Sequence, residues 1–159
     1  MTAQSFEPVK PSFEFIFRAE VTIAAPLEFG QTPFGIRRII DITGGRVTGP
    51  ALSGAVVPGG ADWQIIQADG SGVLEARYTI RSHDDALIYV RNFGYRNGPS
   101  DVLERLAKGE SVDPALYYFR ATPFFETAAP QYDWLNKTLA MSSGIREMDR
   151  VILDFYAVR

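Results

Sequence analysis

Between Gly49 and Trp63 the chain reads Gly-Pro-Ala-Leu-Ser-Gly-Ala-Val-Val-Pro-Gly-Gly-Ala-Asp-Trp, its densest run of glycine and proline, with apolar segments on both sides. The glycines at 44, 45, 49, 54, 59 and 60 lack the Cβ that clashes at positive φ or where two backbones cross closely. Tight turns and sharply bent strands need such positions, and a strongly coiled sheet is their natural user.

The flanking segments supply the strands. From Phe13 the odd positions Phe13, Phe15, Phe17, Ala19, Val21 and Ile23 are apolar, while Ser12, Glu14, Arg18, Glu20 and Thr22 are polar, a period of two that only a strand turns into two faces. Ala25-Pro26 ends this strand, and a loop over Gly30 to Gly35 leads to another at Ile36 to Thr43. Gly44-Gly45 before Val47 carries hairpin chemistry, because a primed turn wants φ above zero at both central positions. Leu52 to Val57 and Asp62 to Ala68 read as strands across a Pro58-Gly59-Gly60 turn, and Asp69 to Gly72 turns the chain into Val73 to Arg81. The chain returns through Ala86 to Phe93, and further strands are expected at Leu116 to Phe125 and Asp149 to Val158.

A helix is expected over Asp101 to Lys108, capped by Ser100 and ended by Gly109, and a second short one over Tyr132 to Met141. Short strands alternating with turns predict an all-β fold, a sandwich or an up-and-down barrel, with one or two short helices; in a barrel the last strand would close against the first. The 159 residues suit one domain, expected over 12–159 after a flexible lead-in at 1–11. Eleven Phe and seven Tyr support the β reading, since aromatic side chains fit a pleated, half-buried surface.

Sixteen basic against nineteen acidic residues give a net charge of -3. No Lys or Arg cluster is placed to neutralise several phosphates, so nucleic acid is not an expected partner. No window reaches the roughly 20 apolar residues of a membrane span, and the start Met1 to Pro8 has neither the basic nor the apolar region of a signal peptide; a cytoplasmic protein is expected. The chain has no cysteine and one histidine, His83, so thiol chemistry and zinc are set aside, and neither a metal nor a cofactor is expected. His83 beside Asp84 and Asp85 falls at a hairpin tip rather than in a desolvated site.

Gly44-Gly45-Arg46-Val47, Gly49-Pro50-Ala51-Leu52-Ser53-Gly54 and Gly59-Gly60-Ala61-Asp62-Trp63 resemble the signature of the bacterial domain-of-unknown-function family 3237. The resemblance continues through Glu75-Ala76-Arg77-Tyr78-Thr79-Ile80, Ala86-Leu87-Ile88-Tyr89-Val90, Tyr117-Tyr118-Phe119-Arg120 and Tyr132-Asp133-Trp134-Leu135-Asn136. It implies a calycin-like, lipocalin-like closed antiparallel β-barrel, of about eight to ten strands here, with an interior pocket, and brings no established reaction with it. The chain departs from the family where an Asp-Gly turn is replaced by His83-Asp84-Asp85.

A barrel of this size holds one small ligand among apolar walls and a few convergent polar groups. The candidates for its interior are Asp62, Arg77 and Tyr132 as catalytic groups, and Trp63, Tyr78, Tyr118, Arg120, Trp134 and Asn136 as ligand contacts. Asp62 would be the base, a tyrosine the proton donor, and Arg77 or Arg120 the partner of a carboxylate, phenolate or enolate. Strand register decides whether Arg77 or Tyr78 points inward.

The functional expectation is a small-molecule-binding barrel doing cofactor-independent acid–base chemistry, as an isomerase, dehydratase or lyase, on an aromatic or polyketide-like compound. The alternatives are a carrier or sensor of an apolar or aromatic ligand, and an interaction protein whose barrel is filled by its own Phe and Tyr. A homodimer is compatible with each.

Overall fold

The computed structural model describes residues 5–159. Residues 1–4 of the expected lead-in lie outside the described residues, and 5–12 carry no regular structure. Nine strands follow: β1 (Phe13–Ile23), β2 (Leu27–Thr32), β3 (Gly35–Thr48), β4 (Gly54–Ile66), β5 (Gly72–Ser82), β6 (Leu87–Asn97), β7 (Tyr118–Glu126), β8 (Ala140–Arg146) and β9 (Arg150–Val158). Helix α1 (Ser100–Ala107) lies between β6 and β7, and a 3₁₀ segment, Pro130–Lys137, lies between β7 and β8.

Every strand pairing is antiparallel, in the order β1-β9-β8-β7-β6-β5-β4-β3, and β1 pairs again with β3 to close an eight-stranded barrel. The expected all-β barrel is the fold observed, with the last strand against the first. β2 is an addition. It pairs with the N-terminal half of β3, and β1 with the C-terminal half.

Closure rests on glycine. Gly45 stands against Val21 of β1 at φ +145°, and a Cβ there would fall 2.2 Å from the Glu20 carbonyl oxygen. Gly44-Gly45 is therefore no hairpin: β3 runs through it, and the glycines serve the close crossing that makes the sheet a barrel. Pro58-Gly59-Gly60 is likewise no turn. β4 continues through it as a bulge in which these three residues stand opposite Tyr78 alone. β2 occupies part of the expected loop, and β8 takes the end of the expected second helix, drawn into the sheet by its pairing with β9. Helix α1 starts one residue early, with Pro99 rather than Ser100 at its N-cap and no side-chain cap bond.

Alternation in β1 also breaks once. A register shift against β9 between Phe15 and Phe17 turns Ile16 and Phe17 both inward, leaving Phe13 and Phe15 on the outer surface. The half of the barrel nearest the Pro130–Lys137 segment is then filled by apolar side chains. Phe17 stacks on Phe155 at 4.5 Å between centroids and meets Phe125 edge-on at 5.9 Å, among buried Val47, Ile80, Ile88 and Val90. Each such side chain contributes about 1.5–3 kcal/mol by leaving water. Helix α1 buries Val102 and Leu106 at the opposite end. No helix among the described residues is long and apolar enough to cross a membrane.

Candidate functional site

The interior beneath α1 is lined differently. The β4 bulge sets the parity that turns Asp62 and Gln64 inward and Trp63 outward. On β5 the inward residues are Leu74, Ala76 and Tyr78, and on β6 they include Asn92 and Arg96. Register places Asp62, Ala76 and Asn92 in one row across three strands, and the short Ala76 leaves space between the two polar side chains. A cavity of about 40 Å³ results, walled by Ile40, Ile42, Val151 and Leu153 and reached by Arg146 at the end of β8.

The polar groups in this cavity are under-satisfied. Gln64 Nε2 donates to Asp62 Oδ2 at 2.7 Å, while Asp62 Oδ1, Gln64 Oε1, Tyr78 Oη and Asn92 Oδ1 are buried without a hydrogen-bond partner. Most buried polar atoms in folded proteins are paired, so four such atoms facing one void mark a place for water or a ligand. Desolvation raises the Asp62 carboxyl above its ordinary range, against the Gln64 hydrogen bond and the positive field of Arg96. Burial, with the nearby Asp62 charge, pushes the Tyr78 phenol up. Arg96 is brought down to about 10 by burial and then by the neighbouring Arg146 guanidinium, and stays charged at neutral pH. Arg146 is lowered by burial and by Arg38, and its backbone N–H donates to Tyr117 Oη at 3.0 Å, which pins the end of β8.

Of the residues singled out from sequence, the structure brings Asp62 and Tyr78 together here. Arg77 lies on the outer face, paired with Glu75 at 2.7 Å beside Trp63, because it has the opposite parity to Tyr78. Tyr118 and Arg120 are exposed on the outside of β7, with the guanidinium 5.6 Å from the Tyr118 ring centroid. Tyr132, Trp134 and Asn136 belong to the opposite end. Tyr132 Oη donates to Asp84 Oδ1 at 3.0 Å, Trp134 lies under Arg159, and Asn136 accepts from the Thr127 N–H at 2.9 Å and donates back to its carbonyl. His83 sits at an exposed turn, 3.3 Å from Ser53 Oγ. Among the described residues no three His, Cys, Asp or Glu side chains gather as a metal-ligand set.

Sequence reasoning missed Gln64, Asn92, Arg96 and Arg146. A usable signal existed for two of them. Asn92 and Arg96 share the parity of Ile88 and Val90, so they are polar residues on the core face of a strand.

Fold and site together define a class: a small closed β-barrel, packed solid at one end and hollow, polar and positively charged at the other. Within that class the chain belongs to the family described as "Protein of unknown function (DUF3237)", whose model matches residues 11–158. A Rhodopseudomonas palustris protein of the uncharacterised group UPF0311 is 43% identical over 145 residues, spanning 91% of this chain and 95% of the relative. A solved β-barrel-like protein from Acinetobacter baumannii superposes with a TM-score of 0.86 at 40% identity, covering 98% of this chain and all of that one. A hydroalkoxylation enzyme from Penicillium herquei is 28% identical over 140 residues, 88% of this chain and 78% of the relative.

Proposed function

We propose that this barrel is a cofactor-independent enzyme whose Asp62 carboxyl moves a proton on an unsaturated small molecule held in the cavity, as in an isomerisation or the addition or elimination of a hydroxyl group across a C=C bond. One observation carries the reading. Asp62 is a desolvated carboxyl with one oxygen held by Gln64 and the other free toward the cavity, and desolvation raises its proton affinity, the direction that suits a carboxyl to proton transfer. The relative from Penicillium herquei, described as a hydroalkoxylation enzyme, supports the same reaction class.

For addition to a conjugated C=C, the substrate hydroxyl oxygen bonds to the β-carbon and negative charge moves onto the carbonyl oxygen. Arg96 supplies positive charge in the same cavity, where one preorganised donor contributes about 3 kcal/mol. Asp62 delivers its proton to the α-carbon and recovers one from the attacking hydroxyl, so the carboxyl is regenerated and no electrons change hands.

The carrier reading has the apolar walls in its favour, and turnover separates the two. ortho-Hydroxychalcone closes to flavanone by adding its own O–H across its C=C, which makes it a direct probe. Its cyclisation is expected to be accelerated by the wild type and to slow about 100- to 10,000-fold in Asp62→Asn, with the melting temperature unchanged or raised. Full activity in that variant would remove Asp62 from the chemistry.

A further inference from the structure

Among the described residues most arginines on the outside of the barrel have a carboxylate partner: Arg18 with Asp154 at 2.6 Å, Arg77 with Glu75 at 2.7 Å, Arg105 with Glu110 at 3.0 Å and Arg159 with Glu14 at 2.7 Å; Arg91 and Arg120 have none, but their charges stand in solvent. The arginines at the mouth under α1 are both more buried and poorly matched. Arg96 is nine-tenths buried, yet among the described residues it has no ion pair and donates no side-chain hydrogen bond; its guanidinium sits 5.8 Å from the centroid of the Phe119 ring. Among the described residues the Arg146 guanidinium donates only to the Met148 carbonyl, at 3.3 Å. Arg38 Nε is buried without a hydrogen-bond partner, and its nearest carboxylate, Glu28 at 3.5 Å, is largely in solvent.

Among the described residues, three guanidiniums thus meet at one mouth whose lining holds a single carboxylate, Asp62, with Glu28 reaching Arg38 from the solvent side. Overall composition does not account for this, because the chain as a whole is acidic at -3. A buried cation without a partner is costly, and like charges close together add to that cost, unless an anion joins them. The walls beside the arginines are apolar, formed by Ile66, Leu103 and Leu106.

We infer that this mouth is built to hold the anionic group of the substrate, a carboxylate or phosphate borne on an apolar or aromatic body, with Arg96 as its principal partner and Arg38 and Arg146 beside it. The inference deepens the reading of the cavity given above and rests on it for the site, though not for the chemistry. A planar guanidinium binds either anion through paired charge-assisted hydrogen bonds. The group anchored there would leave the unsaturated part of the same molecule pointing down toward Asp62, Asn92 and Tyr78.

Calorimetric titration of the full chain with cinnamate, neutral cinnamamide and phenyl phosphate tests it. At least one of the two anions is expected to bind about tenfold or more tightly than the amide, with an affinity that weakens as salt is raised. If cinnamate leads, the anchor takes a carboxylate; if phenyl phosphate leads, a phosphate. Arg96→Met is expected to lose about tenfold or more of the anion affinity, to bind cinnamamide as the wild type does, and to melt at or above the wild-type temperature once the unpaired charge is gone. Equal binding of amide and anions, failure of both anions to bind, or unchanged anion affinity in Arg96→Met would each overturn the inference, and a clear fall in the melting temperature of Arg96→Met would make Arg96 structural. Asp62→Asn is expected to keep anion binding. Anion binding that depends on Arg96, with no turnover of ortho-hydroxychalcone either plain or bearing a ring carboxylate, would therefore defeat the catalytic reading and leave this one standing, and turnover without anion selectivity would do the reverse.

Discussion

At the end of the barrel covered by the Pro130–Lys137 segment, Asp84 accepts hydrogen bonds from Ser82, Gln131 and Tyr132, and the interior above it is filled with Phe17, Phe125 and Phe155. At the end covered by α1, Asp62 is held by Gln64, four polar atoms face a void, and Arg96 lies buried without a counter-ion. The same eight strands build both ends. Filling one end with apolar side chains, where Ser142 Oγ beside Phe155 is the one orphaned polar atom among the described residues, and gathering four orphaned polar atoms at the other divides the barrel into a half that holds the fold and a half that is free to bind, since strained or unpaired groups persist only where packing elsewhere supports them.

The sharpest way to break this division is at the packed end. Phe155 is fully buried against Phe17 and Phe125, and Phe155→Ala should cost about 3–5 kcal/mol, read as a lower urea midpoint. A loss under about 1 kcal/mol would show that the packed half is not where stability resides. At the hollow end the sign reverses. Asn92 exposes an unpartnered Oδ1 to the cavity, so Asn92→Leu should stabilise the fold by about 1 kcal/mol while weakening ligand binding. A destabilised variant would mean that ordered water already satisfies this group.

The apolar faces of the strands, at both ends, were more legible in the sequence than the polar lining of the hollow one. The odd-numbered run from Phe17 to Ile23, the β5 alternation of Leu74, Tyr78 and Ile80, and the closing β9 strand all follow from a period of two. What sequence could not supply is register across bulges. The three residues Pro58, Gly59 and Gly60 opposite Tyr78 decide that Asp62 faces in and Trp63 out, and a one-residue difference would exchange them. Gly44-Gly45 has the composition of a hairpin turn, and only the crossing with Glu20 of β1 gives it another use. Arg77 was attractive because it is a guanidinium in a motif. Arg96 carries a signal of its own, the core-face parity it shares with Ile88 and Val90; that it and Arg146 meet at one mouth is recognisable only once the fold brings distant strands together.

The two aspartates offer a finer test of the same contrast, because their ends push them in opposite directions. Asp84 is held at about 2, below its ordinary 3.8, by hydrogen bonds from Ser82, Gln131 and Tyr132. Its contribution to stability is therefore complete above pH 3.8 and is lost as pH falls toward about 2. Asp62 is raised above 3.8 by desolvation, so the folded state holds its proton more tightly than the unfolded chain does. The resulting destabilisation is absent below pH 3.8, grows as pH rises from there toward the folded value, and is constant above it. Melting temperatures of wild type, Asp62→Asn and Asp84→Asn from acid to neutral pH should then diverge in opposite senses. Asp62→Asn should gain on the wild type as pH rises. Asp84→Asn should lie below the wild type near neutrality and approach it in acid. Parallel curves for Asp62→Asn and the wild type would mean that the Asp62 carboxyl reaches water freely, and the hollow end would then lack the desolvation on which its chemistry depends.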